Sequence, residues 1–222
     1  MSFERARGGK LLYLGEYRQA VEVLTQAIEL EPDDAAIYVN RGAAYAALAE
    51  YELSIADYDQ AIELDPDNVT AYNNRGLAYA SQRDYKLALR DYEQAMELDP
   101  RNAVIYNNRG VAYEAQGDQD RALAEYNRAL ELDPEYAAAY YTRGTCYAKQ
   151  GDNERAIADY DQAISFNHKF AAAYYSRGVA LGLRGHYEQA LADFEKYLDL
   201  APRASNREQV EAIVRKLREN KT

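Results

Sequence analysis

Proline recurs along this chain at a single interval. Pro32, Pro66, Pro100 and Pro134 stand 34 residues apart, and Pro202 follows two intervals later, with His168 at the skipped site. Glycine keeps the same interval at Gly8, Gly42, Gly76, Gly110, Gly144 and Gly178, and a second series runs through Gly15, Gly117, Gly151 and Gly185. Numbering each unit so that proline is position 32 places tyrosine at position 4 (Tyr38, Tyr72, Tyr106, Tyr140, Tyr174) and position 11 (Tyr45, Tyr79, Tyr113, Tyr147). It also fills position 17 (Tyr17, Tyr51, Tyr85, Tyr187) and position 24 (Tyr58, Tyr92, Tyr126, Tyr160). These four positions hold 17 of the 22 tyrosines in a chain with no tryptophan and four phenylalanines. The aromatic surplus is one pattern multiplied. A unit of this length is one supersecondary element that cannot bury its apolar face alone, so the units must stack.

Six units fill 1–34, 35–68, 69–102, 103–136, 137–170 and 171–204, and an 18-residue tail, 205–222, completes the 222 residues as a single domain. Each unit reads as two helices. At about 100° per residue, positions 4, 7, 8 and 11 share one face of the first helix, and positions 17, 20, 21, 24, 27 and 28 share one face of the second. The ELDP segment ends the second helix, because proline lacks an N–H and restricts the residue before it. Position 20 is Ala except at Ser54, and position 27 is Ala except at Tyr197, which leaves room for close helix approach.

An aromatic at 4, Gly at 8, Tyr at 11, Ala at 20, an aromatic at 24, Ala at 27 and Pro at 32 on this period resembles the tetratricopeptide repeat. The resemblance covers the whole chain. It implies an all-α fold, an α-solenoid of helix-turn-helix repeats forming a right-handed superhelix whose first helices line a concave groove. Val210, Ile213, Val214 and Leu217 share one face of the tail, which resembles the helix that closes such arrays. Repeat 1 departs from the pattern with Glu4 and Leu11, as a terminal unit does, and repeat 5 ends in SFNHKF where its neighbours have ELDP. That last change reads as drift in an exposed turn sooner than as a hinge, since no glycine accompanies it.

Position 7, Leu in most of the family, is Arg in every unit: Arg7, Arg41, Arg75, Arg109, Arg143 and Arg177. It shares the packed face, where an unpaired charge is costly. Position 23 of the second helix offers the partner, reading Val23, Asp57, Asp91, Glu125, Asp159 and Asp193. An internal Arg–carboxylate pair is therefore expected in five of six repeats. An anion-binding track is disfavoured, because the arginines lie on the packed face beside acids.

Opposite that face, positions 2, 5, 6, 9, 12 and 13 of the first helix form the arc that the resemblance assigns to the groove. Across repeats 2 to 6 these positions carry only two charges, Glu114 and Lys149, in a chain of net charge −11. Chaperone-binding relatives grip a C-terminal carboxylate with basic residues at 5, 9 and 13. Here Arg5 and Lys149 are the basic residues present, so no such clamp is expected. Asn40, Asn74 and Asn108 at position 6 are similar instead to the asparagine ladder of other members, including the tetratricopeptide region of O-linked N-acetylglucosamine transferases. An amide offers one acceptor and two donors, which suits the backbone of an extended peptide. The expected contacts are these three, their neighbours Asn73 and Asn107, the amphipathic rings of Tyr141 and Tyr175, and the charges of Glu114 and Lys149. Duplication of YNNRG at 72–76 and 106–110 accounts for part of the recurrence.

Other functions find little support. The acidic balance, 26 basic against 37 acidic residues, disfavours nucleic acid and acidic partners and favours neutral to basic ones. No apolar run approaches the roughly 20 residues of a membrane helix. The single cysteine closes no internal disulfide, and the opening MSFERARGGK lacks a signal peptide's apolar stretch, so a cytoplasmic location is expected. No nucleophile-elbow, zinc-protease, phosphate-loop or dinucleotide motif occurs, His168 and His186 fall in separate turns, and Cys146 reads as a packed small side chain. No enzyme activity, metal or cofactor is expected. The reading is a protein-interaction module of adaptor, co-chaperone or assembly type. The alternatives are a self-assembly element stacking weakly through repeat 1 and a targeting region of a larger protein.

Overall fold

The computed structural model describes residues 3–219. Thirteen helices and no strand occur among them: α1 (Phe3–Tyr13), α2 (Tyr17–Leu30), α3 (Ala35–Ala47), α4 (Tyr51–Leu64), α5 (Val69–Ser81), α6 (Tyr85–Leu98), α7 (Ala103–Ala115), α8 (Gln119–Leu132), α9 (Ala137–Lys149), α10 (Asn153–Phe166), α11 (Ala171–Leu183), α12 (Tyr187–Leu200) and α13 (Arg207–Glu219). The fold is an all-α helical-repeat solenoid. It divides into two compact units, Met1–Ala112 and Tyr113–Thr222.

Local chemistry sets the helix ends. Asp34, Asn68, Asp84, Asp118 and Asp152 cap helices through side-chain oxygens that accept backbone N–H groups. Position 15, between the paired helices, is left-handed in every repeat, with φ from 76° to 86° at Gly15, Gly117, Gly151 and Gly185. This conformation lets the next N–H reach back to the position-11 carbonyl, as in Asp118 N to Tyr113 O at 3.0 Å. Ala49 (φ 60°) and Arg83 (φ 65°) adopt it without glycine's freedom. The turn after α10 keeps its form without proline: Asn167 accepts from Lys169 N at 3.1 Å, as Asp133 accepts from Glu135 N at 3.0 Å.

In the first unit Tyr58 and Tyr92 are the largest fully buried side chains, packed among alanines, and Tyr126 and Tyr160 play that part in the second. The rings lie so close to the first helix that a Cβ on Gly42 would sit 2.7 Å from Tyr58 Cε1. Burial pushes the Tyr58 phenol up to about 12. The phenols of Tyr92, Tyr126 and Tyr160 are likewise raised, with burial the largest cause. Val210 and Val214 of α13 cover the last repeat, joining Leu181, Leu191, Phe194 and Tyr197 in one core cluster. Tyr197 fills the position-27 site that is Ala in the other five repeats, and its hydroxyl bonds Asn206 in the approach to α13.

The arginines form two-pronged pairs. Arg41 donates from Nε and Nη2 to Asp57 at 2.8 and 2.7 Å, and Arg75 to Asp91 at 2.7 Å for both. In the second unit Arg143 pairs with Asp159 at 2.8 and 2.7 Å, and Arg177 with Asp193 at 2.8 and 2.6 Å. The Arg143 and Asp159 side chains are 20% and 8% exposed. Arg109 and Glu125 belong to different units, and Arg7, opposite Val23, is exposed. A third bond, which the sequence reading did not foresee, runs from Nη1 to position 25 of the preceding second helix. Its acceptors are Thr25 (3.1 Å), Asp59 (2.5 Å), Asn127 (2.6 Å) and Asp161 (2.6 Å). The guanidinium also lies over the position-4 ring, 5.5 Å from the centroid for Arg75 on Tyr72 and Arg143 on Tyr140. This second use of position 4 explains why tyrosine recurs there.

Three stability measurements check these forces. Asp159→Ala strands the Arg143 charge and is expected to cost about 3 kcal/mol in urea unfolding, whereas Arg128→Ala, at an exposed pair, leaves the midpoint nearly unchanged. An unaltered Asp159→Ala midpoint would show the pair to be dispensable. Ala49→Gly relieves the left-handed alanine and, after glycine's greater unfolded freedom, is expected to stabilise by about 0.5–1 kcal/mol. The raised phenols mean that the folded state binds these protons more tightly than the unfolded state. The stability these phenols contribute is therefore level below the unfolded value of 10.0 and falls as pH rises from there through about 12. Tyr58 alone accounts for about 3 kcal/mol of that loss. Tyr58→Phe removes its share, so an alkaline titration of the two proteins should show the wild type losing stability more steeply.

Candidate functional site

In the first unit the amides gather on the first helices. Asn40 lies on α3, Asn73 and Asn74 on α5, and Asn107 and Asn108 on α7. The Asn108 Nδ2 donates to Asn73 Oδ1 at 2.9 Å, and the Asn73 Nδ2 donates to Asn74 Oδ1 at 3.2 Å. Three of the five amides thus form one oriented chain across two repeats, each retaining hydrogen-bonding capacity beyond these bonds. Asn40, Asn73, Asn74 and Asn108 are half-buried, while Asn107 is 5% exposed and turned into the packing. Position 5 is the inner edge of the arc, as the buried Val39 shows. Leu77, Val104 and Val111 supply exposed apolar surface on the same helices.

The second unit differs. Its position-6 residues are Thr142 and Ser176, and the Thr142 hydroxyl donates to its own helix at Ala138 O, 3.1 Å away. Tyr141 is half-buried, its ring 4.9 Å from Phe170 and 5.9 Å from Tyr160. Tyr175 lies 5.2 Å from Tyr197 and 6.0 Å from Phe194. Both rings are engaged in packing between helices and are left half-buried. Glu114 at the end of α7 and Lys149 at the end of α9 form an ion pair at 2.7 Å. The other Glu114 oxygen accepts from the Tyr126 hydroxyl at 2.7 Å.

The core tyrosines support these surfaces from beneath. Position-24 hydroxyls reach Glu114 from Tyr126 and Thr145 from Tyr160 at 3.4 Å. Tyr92 finds no hydrogen-bond partner for its hydroxyl among the described residues, and repeat 6 dispenses with the group in Phe194. Sequence reasoning missed this link, because the ring pattern reports burial and not where the hydroxyl ends.

Among the described residues no group of three or more His, Cys, Asp or Glu is placed to hold a metal ion, and no helix is long and apolar enough to cross a membrane. Cys146 is buried, and burial pushes its thiol up to about 11, so it stays protonated at neutral pH.

Comparison with known proteins gives a consistent result. Tetratricopeptide-repeat family models match residues 8–49, 47–83, 69–102, 107–169 and 145–215. No curated protein matches the chain in sequence. Among solved structures, a chain of the APC/C hetero-tetramer Cut9-Hcn1 superposes with TM-score 0.83 at 16% identity, covering 96% of this chain. This chain spans 42% of that one. A tetratricopeptide repeat protein from Parabacteroides merdae gives 0.78 at 23% identity, over 96% of this chain and 82% of its own. YrrB, a repeat protein described by its unusual peptide-binding site, gives 0.55 at 28% identity, over 86% of this chain and 99% of its own. Proteins of this kind bind protein or peptide partners and are generally non-catalytic scaffolds. With a 34-residue pattern repeated in register, thirteen helices among the described residues and family matches spanning residues 8 to 215, the chain belongs to the tetratricopeptide-repeat family.

Proposed function

We propose that this protein is a non-catalytic adaptor whose first-helix surfaces hold an extended peptide segment of a partner protein. The observation that carries the reading is the amide chain Asn108–Asn73–Asn74 beside exposed Leu77, Val104 and Val111 in the first unit. Amides fixed relative to one another are aligned before the ligand arrives, which lowers the ordering cost of binding. Their free donors and acceptors match backbone N–H and C=O groups, and the flanking apolar surface favours side chains of the ligand that leave water on binding. The half-buried Asn40 extends the amide set to α3. Asn107 supports from within the packing, and Tyr141 and Tyr175 contribute half-buried rings on the second unit.

The likeness to YrrB, a protein with a peptide-binding site, agrees with this reading. A net charge of −11 favours neutral to basic segments over acidic ones through long-range repulsion of like charge. Selection of random displayed peptides on the immobilised protein checks the proposal. Wild type should enrich binding sequences, and the triple variant Asn40→Ala, Asn74→Ala, Asn108→Ala should lose about tenfold or more in affinity for them while still folding. Equal binding by the two proteins would remove the amides from the site.

A further inference from the structure

We infer that the Glu114 carboxylate selects a lysine or arginine side chain in a peptide laid on the first-helix surface of the second unit. The inference rests on the peptide-binding reading and adds what that surface prefers. Glu114 is the one acid among the groove positions of repeats 2 to 6, and the groove positions of α9 and α11 carry no charge apart from Lys149. An isolated carboxylate in a neutral surface is costly unless its oxygens are engaged. Here one oxygen is fixed from inside by the Tyr126 hydroxyl at 2.7 Å, and Tyr126 is itself fully buried, so the carboxylate is held in one orientation.

The other oxygen is held by a replaceable partner. The Lys149 ammonium touches it at 2.7 Å, yet the lysine side chain is 59% exposed while Glu114 is 10% exposed. The two members therefore differ in kind. Glu114 is built into the unit, whereas Lys149 sits on a flexible stem in solvent and can rotate away as a second cation replaces it. A cationic side chain of the ligand then takes the position of the Lys149 ammonium, exchanging one charge-assisted hydrogen bond for an equivalent one in a site that the ligand shields further from water. An arginine adds directional donors matched to a carboxylate. An acidic ligand side chain finds no such exchange, because capture by Lys149 would leave Glu114 nearly buried with its charge uncompensated.

Random displayed peptides selected on the full chain test this, followed by synthetic peptides in which the selected lysine is replaced by the uncharged norleucine. Wild type should enrich lysine or arginine at one position of the peptide, and the norleucine version should bind about fivefold more weakly or worse. Glu114→Gln keeps an acceptor for Tyr126 and is expected to retain the wild-type melting behaviour, but to bind the two peptides alike. Lys149→Met removes the internal competitor and should bind the lysine peptide about two- to fivefold more tightly. Discrimination that survives Glu114→Gln overturns the inference, as does an acidic preference that disappears with Lys149→Met. Enrichment of peptides with no basic preference defeats this inference alone, whereas failure to enrich any peptide defeats the peptide-binding reading with it.

Discussion

Repeats 2, 3, 5 and 6 are each organised around a guanidinium that has been largely taken out of water. Arg41, Arg75, Arg143 and Arg177 are held by two bonds to the aspartate of the paired helix, a third to the preceding second helix, and a tyrosine ring. Burying an ion pair gains little over a well-packed apolar pair, and an incomplete one is strongly destabilising. Such a site is therefore specific before it is stabilising: it accepts one helix register, since a slip of one residue would leave a charge unmatched. The arginine fixes which surface of the first helix faces inward and, by exclusion, which surface faces out.

That orientation has a direct effect on function. With position 7 tied inward, the opposite arc of the first helix faces away from the arginine, and the position-24 tyrosines come up beneath it. Two of their hydroxyls bond a polar residue of a first helix, Glu114 or Thr145. Core and surface are thereby coupled, and the Glu114 carboxylate is held by a fully buried ring. The two units differ: the first presents linked amides, and the second presents a single oriented charge.

Much of this could be read from the sequence because the same 34-residue pattern is sampled six times. Helix positions, the buried alanines, the position-23 partners and the family followed from periodicity that no single copy would have shown. What escaped was whatever varies between copies or crosses between them. The third arginine bond has Thr25, Asp59, Asn127 and Asp161 as acceptors, and no one residue type marks that site. The Glu114–Lys149 pair joins residues 35 apart on different helices, so a wheel drawn for one helix reads two lone charges. The same wheel gives an angle and not the reach of neighbouring rings, which is why it did not show that Tyr141 and Tyr175 each pack against two aromatic partners.

The varied acceptor at position 25 makes the seams between repeats unequal although their cores are alike. Where the acceptor is Asp59 or Asp161, the seam is closed by an ion pair that salt weakens; where it is Thr25 or Asn127, the guanidinium meets a neutral acceptor and the bond is less sensitive to ionic strength. Within each unit, then, the junction that yields first depends on the solvent. Low salt favours opening at the neutral seams, and rising salt evens the difference.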